Sequence, residues 1–117
     1  MSTKIEDREA ALNARIQAGD VLGALDEFYC KNVVMQEGTA APTEGRAANK
    51  TRLEGFLGSL SKFNGATLHS SGVGDGVTLS EWTFDMVGGD GNPIVWNEVI
   101  RRQWSGGVVV HERYYNP

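Results

Sequence analysis

The sequence predicts an α+β fold in which three N-terminal helices pack on a strongly curved antiparallel sheet and leave a cone-shaped interior. Apolar residues in the first half recur with the period of a helix. After Asn64-Gly65 the period changes to two. Glycine-rich turn signals then divide the second half into four segments of strand length. This order of helices followed by strands is typical of a single α+β domain, which we expect to span residues 1–117.

Capping residues predict the first two helices. Thr3 and Glu6 have the spacing of a capping box, so we expect the first helix to begin there. Gly19 is suited to a left-handed helix end, and Asp20 can cap the second helix. The apolar stripe of that helix consists of Leu22, Leu25, Phe28 and Tyr29.

The first strand and the third helix follow. A β-branched run predicts a strand over 32–37, and a glycine- and proline-containing loop comes after it. Over 46–63 the apolar positions have the i, i+3, i+4, i+7 spacing of an amphipathic helix. These positions are Leu53, Phe56, Leu57 and Leu60.

The rest of the chain is predicted to form a four-stranded meander. Turns are expected at 74–76, at 88–92 and at Gly106-Gly107. The strands between them are predicted over 66–73, 77–87, 94–104 and 108–115.

Composition argues against several classes of function. A net charge of −4 gives no electrostatic basis for binding nucleic acid or an anionic membrane. Cys30 is the only cysteine, which excludes an internal disulfide and a multi-cysteine zinc site. Metal-binding and nucleotide-binding motifs are also missing from the sequence. The N-terminus is too charged for a signal peptide. We therefore expect a cytoplasmic protein that uses no metal or other cofactor.

The last predicted hairpin places chemical groups on one face of the sheet. A two-residue turn at Gly106-Gly107 makes Trp104 pair with Val109. It also places Arg101 opposite Glu112, and this charge complementarity favours the register. In the same register Ile100 lies opposite Arg113, and Glu98 lies opposite Tyr115. The shared face then carries Trp96, Glu98, Ile100, Arg102, Trp104, Val109, His111, Arg113 and Tyr115.

The preceding turn determines whether Glu81 joins that face. A two-residue turn at Asp90-Gly91 would place Glu81 opposite Ile100 and Thr83 opposite Glu98. A bulge in this glycine-rich turn would instead reverse the parity of the 77–87 strand and direct Glu81 outward. The sequence leaves both arrangements open.

The order of elements, read together with four short motifs, resembles a known family. The motifs are the segments 33–37, 45–50, 81–85 and 112–117. They resemble the SnoaL-like, polyketide-cyclase-like branch of the nuclear transport factor 2-like superfamily, over essentially the whole chain. The resemblance implies a cystatin-like cone fold in which Ile100, Trp104 and Val109 face the interior. The superfamily includes cyclases, epoxide hydrolases, isomerases, dehydratases and non-catalytic modules, so the resemblance implies no single function.

Glu98, Glu81, Arg113 and His111 are the candidate catalytic residues. Two carboxylates in a partly dry cone would have separated pKa values, one lowered by Arg113 and one raised by burial, which suits acid–base chemistry. The alternative is a structural salt bridge between Glu98 and Arg113 on a solvated sheet. His111 has an ordinary pKa near neutrality and suits proton transfer, but it also fits an ordinary strand position.

Other residues are candidates for substrate binding. Tyr29 could stabilise an anionic intermediate, or it could be a core aromatic residue with a hydrated hydroxyl group. Glu37 ends the first strand, where it could point into the mouth of the cone or into water. The further candidate lining residues are Trp96, Ile100, Trp104 and Tyr115.

Two functions follow from these candidates. The first is a small-molecule-binding protein that acts as a cofactor-free lyase, isomerase, cyclase or hydrolase on a largely apolar substrate. The second is a non-catalytic ligand-binding or dimeric scaffold module. In both cases we expect a homodimer, because the outer sheet face would otherwise expose a large apolar patch. That patch is predicted to contain Trp82, Phe84, Val99, Val110 and Tyr114.

Overall fold

A computed structural model describes residues 4–116 and shows an α+β fold with three helices and a six-stranded sheet. The predicted α+β class is therefore confirmed. The helices are α1 (Ile5–Gln17), α2 (Val21–Phe28) and α3 (Arg46–Gly58). The strands are β1 (Tyr29–Glu37), β2 (Thr43–Glu44), β3 (Leu60–Gly74), β4 (Val77–Gly88), β5 (Pro93–Ser105) and β6 (Val108–Tyr115).

The strand order in the sheet is β2-β1-β6-β5-β4-β3. The meander from β3 to β6 is antiparallel, as predicted. Strands β1 and β6 pair in parallel, so the prediction of an entirely antiparallel sheet is wrong at this pair. Parallel neighbours need a long crossover, and here that crossover contains α3 and most of the meander.

The helix boundaries confirm one predicted cap and correct one predicted end. Gly19 has a φ of 84°, and the Asp20 side chain accepts a hydrogen bond from the Gly23 N–H. The predicted capping box depends on Thr3, which lies outside the described residues. Helix α3 ends at Gly58 rather than at Phe63, because Leu60 and Phe63 pair with β4 as part of β3. Sheet pairing here outweighs the helical spacing of the apolar residues.

The turn between β4 and β5 is longer than two residues. It runs through residues 89–92 and is closed by a hydrogen bond from the Gly88 N–H to the Asn92 carbonyl. Trp82 therefore lies opposite Glu98, and Glu81 lies opposite Val99. The predicted pairings of Glu81 with Ile100 and of Thr83 with Glu98 are wrong. The alternative with reversed parity is correct, and it turns Glu81 outward.

A β-bulge changes the register between β5 and β6. Trp104 pairs with Val109 as predicted, but Val110 is then an extra residue without a partner. Beyond it the pairs are Gln103 with His111, Arg102 with Glu112, Arg101 with Arg113, Ile100 with Tyr114 and Val99 with Tyr115. The predicted pairings of Arg101 with Glu112, Ile100 with Arg113 and Glu98 with Tyr115 are therefore wrong.

These two corrections alter both faces of the sheet. Trp82 is fully buried and stacks on Phe84, with the ring centroids 5.4 Å apart. Phe84 and Tyr114 line the interior, so three of the five residues predicted to form the outer patch do not lie on it. The other face instead exposes Leu79 and Val95. Among residues 4–116, no helix is long and apolar enough to cross a membrane.

Candidate functional site

A cavity of about 420 Å³ lies between the helices and the concave face of the sheet. Its wall is mainly apolar and includes Leu25 from α2, Leu53 and Phe56 from α3, and Met86 from β4. Phe56 stacks on Trp96 of β5, with a centroid distance of 4.9 Å. This volume is in the range of small-molecule pockets, and an apolar wall favours an apolar ligand.

Arg102 forms the centre of a buried ionic cluster, which we call the Arg102 cluster and define as Glu9, Asn13, Arg102 and Glu112. The Arg102 Nε lies 2.7 Å from Glu112 Oε2, and its Nη1 lies 2.9 Å from Glu9 Oε1. Nη1 also donates to Asn13 Oδ1 at 2.7 Å. Glu9 and Asn13 lie one turn apart on α1, whereas Arg102 and Glu112 lie on strands of the sheet. The cluster therefore connects this helix to the sheet.

Two tyrosines complete the surroundings of Glu112. The hydroxyl of Tyr29 donates to Glu112 Oε2, and that of Tyr114 donates to Oε1. Burial and the neighbouring Glu112 carboxylate raise the pKa of both phenols well above the ordinary value. Both hydroxyls therefore stay protonated and remain donors. Arg102, Glu112 and both tyrosines also line the cavity.

Glu98 is a partly buried carboxylate, and unlike the buried Glu9 and Glu112 it forms no hydrogen bond or ion pair with another residue in the range 4–116. Its side chain lines the cavity from β5. Glu98 comes immediately before Val99, which is the first residue of β5 that pairs with β6. Burial raises the pKa of Glu98 to about 7, and the carboxylates of Glu112 and Glu37 contribute to the increase. Arg102 opposes this shift but does not cancel it.

The remaining charged groups on the wall are Glu37 and Arg52. The Arg52 Nη1 lies 3.8 Å from Glu37 Oε1, and both side chains are partly exposed to solvent. Arg52 also donates to Asn49 Oδ1 from Nη2 at 3.2 Å. These charges belong to the solvent-accessible part of the cavity, whereas the Arg102 cluster belongs to its buried part.

The structure places five of the candidate residues on the cavity wall. They are Tyr29, Glu37, Trp96, Glu98 and Ile100. Trp104 is buried in the core but lies outside this wall, and its indole N–H donates to Thr78 Oγ1 at 2.9 Å.

The other four candidates, Glu81, His111, Arg113 and Tyr115, do not line the cavity. Glu81 and Tyr115 line a second depression, and Glu98 contributes to its wall as well. Arg113 donates from Nε to the Gly38 carbonyl at 2.8 Å and lies over the Tyr115 ring. Burial, together with Arg101 and Arg113, lowers the pKa of His111. The predicted cluster of Glu98, Glu81 and Arg113 is therefore not formed.

The sequence patterns do not reveal Glu9, Glu112 and Tyr114 as site residues, and they indicate no role for Arg102. The alternation along 94–104 did place Arg102 on the interior face. A buried arginine needs carboxylate partners, and this requirement alone could have pointed to Glu112 on the next strand. The bulge at Val110 prevented that conclusion, because without it Glu112 is assigned to the outer face.

Comparison with known proteins supports the fold. No protein-family model and no curated protein matches the sequence. A Mesorhizobium loti protein with the designations SnoaL-like polyketide cyclase and carbohydrate phosphatase is similar in structure, with a TM-score of 0.86 and 16% identity over 96% of this chain and 98% of that chain.

Two further solved structures are also similar. An NTF2-like protein of unknown function from Burkholderia pseudomallei has a TM-score of 0.83 and 9% identity, with 100% of this chain and 92% of that chain covered. An LEH-like epoxide hydrolase from Mycobacterium tuberculosis has a TM-score of 0.76 and 16% identity, with 95% and 80% covered. The chain therefore has the fold of the SnoaL-like and NTF2-like proteins, which confirms the resemblance at the level of the fold.

Proposed function

We propose that this protein binds a largely apolar small molecule in the cavity and acts on it by acid–base chemistry, with Glu98 accepting and returning the proton. One observation carries the proposal: an unpaired carboxyl group with a pKa of about 7 faces an apolar cavity of about 420 Å³. A group with such a pKa is present in both protonation states near neutral pH, so it can serve as base and then as acid.

The surrounding residues support this role for Glu98. The Glu112 carboxylate is occupied by Arg102, Tyr29 and Tyr114, so it is not available to take a proton from a ligand. Glu37 is more exposed and lies next to Arg52. Neither of these carboxylates therefore combines burial with the absence of a partner, as Glu98 does.

Removal of a proton from carbon provides a test that needs no knowledge of the natural substrate. The probe is 2-tetralone, an apolar ketone with acidic C–H bonds, and exchange of its hydrogens for deuterium is followed by proton NMR in D₂O. We expect the wild-type protein to accelerate exchange and Glu98→Gln to show the buffer rate. The matched control is Glu81→Gln, which changes a carboxylate on the other face and is expected to behave as wild type.

The same variants are then tested with indene oxide, because one similar structure is an epoxide hydrolase. Addition of water to the epoxide by the wild type, and its loss in Glu98→Gln, would extend the role of Glu98 to activation of water. If the wild type binds both probes and transforms neither, Glu98 is not a catalytic base and the proposal is wrong.

A non-catalytic ligand-binding module is the second candidate. The Arg102 cluster favours it, because Glu9 and Glu112 are both paired internally, as in a structural ion network. In that case Glu98→Gln should bind apolar ligands as well as the wild type does, and no variant should transform them.

A further inference from the structure

The charged side chains on the cavity wall do not balance one another. In the described part of the chain, three carboxylates and two guanidinium groups line the cavity, namely Glu37, Glu98 and Glu112 with Arg52 and Arg102. Glu112 is paired with Arg102, and Glu37 lies beside Arg52. Glu98 is therefore the carboxylate on this wall that lacks a cation.

Neither guanidinium group is left over to neutralise Glu98. Arg102 lies between two buried carboxylates, because its Nη1 lies 2.9 Å from Glu9 Oε1 and its Nε lies 2.7 Å from Glu112 Oε2. The ionised Arg102 cluster therefore carries a net negative charge. Arg52 is shared between Glu37 and the Asn49 side chain. A ligand in the cavity can supply the positive charge that Glu98 lacks.

Aromatic rings lie close to Glu98 on the same wall. Trp96 precedes Glu98 by two residues on β5, and both line the cavity. Phe84 of β4 pairs directly with Trp96 and lines the cavity as well. The face of an aromatic ring attracts a cation, and protein sites for ammonium ligands are commonly lined by such rings. The wall around Glu98 thus combines a negative charge with rings that favour a positive one.

A ligand in the cavity can reach this part of the wall. Glu98 is only partly buried, and Trp96 beside it is 38% exposed. The rest of the wall is mainly apolar, so the cation should be attached to an apolar body. A carboxylate ligand would instead add a negative charge to a wall that already has an excess of them.

We propose that the cavity binds apolar amines in their protonated form, with the ammonium group bonded to the Glu98 carboxylate beside Phe84 and Trp96. This inference rests on the proposed function, because it concerns a second class of ligand for the same cavity. The bound ammonium group occupies the carboxylate that takes up the proton in the proposed reaction. An apolar amine is therefore also expected to inhibit the exchange of 2-tetralone.

The test compares three naphthalenes of similar size at pH 8: 2-(aminomethyl)naphthalene, 2-ethylnaphthalene and 2-naphthoate. At this pH the amine is protonated, and Glu98, with a pKa of about 7, is mainly ionised. Affinities are measured by NMR titration. A charge-assisted hydrogen bond should make the amine bind to the wild type about tenfold more tightly than the hydrocarbon does. The carboxylate should bind more weakly than either.

Two matched variants locate the bound amine. Glu98→Gln keeps the shape of the side chain and removes its charge, so the amine should lose its advantage over the hydrocarbon. Glu81→Gln removes a carboxylate from the second depression and should leave that advantage unchanged. Equal binding of the amine and the hydrocarbon to the wild type would overturn the inference. So would tightest binding of 2-naphthoate, or loss of the amine's advantage in Glu81→Gln.

The pKa of Glu98 should change in opposite directions with the two ligands. An ammonium group favours the ionised carboxylate and should lower this pKa, whereas the hydrocarbon displaces water and should raise it. The pKa is followed by NMR of ¹³C-labelled glutamate side chains. The surrounding charges are the same in both complexes, and they are those of Glu37, Glu112, Arg52 and Arg102. A pKa that the amine does not lower would contradict a contact with Glu98.

Exchange of 2-tetralone separates this inference from the proposed function. If the amine binds through Glu98 but the wild type does not accelerate exchange, the inference stands and the proposed reaction is wrong. If exchange depends on Glu98 but the amine has no advantage, the inference is wrong and the proposed function stands. If none of the three naphthalenes binds and 2-tetralone is not exchanged, both are wrong.

Discussion

Arg102 and Glu112 lie directly opposite each other on β5 and β6, and Arg102 Nε is 2.7 Å from Glu112 Oε2 although both side chains are buried. The same guanidinium reaches Glu9 on α1. One side chain therefore holds together an N-terminal helix and the two C-terminal strands. Because this cluster also forms part of the cavity wall, the stability of the fold and the shape of the site depend on the same contacts.

Replacing the central arginine should destabilise the protein strongly. Arg102→Met leaves the buried carboxylates of Glu9 and Glu112 without their cation, and the loss of one partner from a buried ion pair costs about 3–5 kcal/mol. The free energy of unfolding is measured by urea denaturation. The matched control is Arg101→Met, because Arg101 is half-buried, forms no salt bridge among the described residues and lies opposite Arg113. Equal losses in the two variants would contradict this account.

Glu98 should make the stability of the protein fall as pH rises through neutrality. Its pKa is raised to about 7 in the folded state and returns to its ordinary value on unfolding. The folded protein therefore binds the proton more tightly, and this stabilisation is present in acid and lost as the pH passes about 7. Allowing for its partial exposure to water, we expect a loss on the order of 2 kcal/mol between pH 5 and pH 8.

Glu98→Gln provides the comparison for that pH dependence. Glutamine does not ionise, so the variant should lose less stability than the wild type over the same range and should be the more stable protein at pH 8. Urea denaturation at the two pH values measures the difference. Parallel curves for the two proteins would mean that Glu98 has an ordinary pKa.

Glu37 should influence Glu98 through its charge. The Glu37 carboxylate contributes to the raised pKa of Glu98, so Glu37→Gln should lower that pKa. The titration of Glu98 is followed by NMR of ¹³C-labelled glutamate side chains. Glu44→Gln removes an exposed charge from β2 and serves as the control, for which we expect no change. An unchanged pKa in Glu37→Gln would show that burial and Glu112 account for the whole shift.

Homodimer formation through the outer sheet face stays a prediction, but the residues expected to form the interface differ from those that the sequence predicts. Val99 and Val110 remain outside the cavity, and Leu79 and Val95 are exposed. We expect light scattering at micromolar concentration to give twice the chain mass of 12.7 kDa. Leu79→Lys should weaken such a dimer by placing a charge on the apolar face. A wild-type mass equal to that of one chain would exclude the dimer at that concentration.

Local patterns predicted the helices and the meander because those signals lie within a few residues of each other. The Asp20 cap and the turn at Gly106-Gly107 are examples, and both are present. Glu98 was also placed correctly, because alternation along β5 is uninterrupted. The composition of β6 did not reveal the bulge at Val110, since a bulge depends on how two strands twist around each other. That single residue explains why Glu112 and Tyr114 were missed and His111, Arg113 and Tyr115 were placed inside.

The unpaired Val110 also suggests how relatives with this fold could diverge. Strand β6 carries two alternating sets of side chains, one with Glu112 and Tyr114 and the other with His111, Arg113 and Tyr115. The location of the bulge decides which set faces the cavity. If the bulge moved to the C-terminal end of β6, a lining with the acidic Glu112 would be exchanged for one with His111 and Arg113, which is basic. A lineage could thus acquire a different binding preference while every residue of the old lining persisted in the sequence.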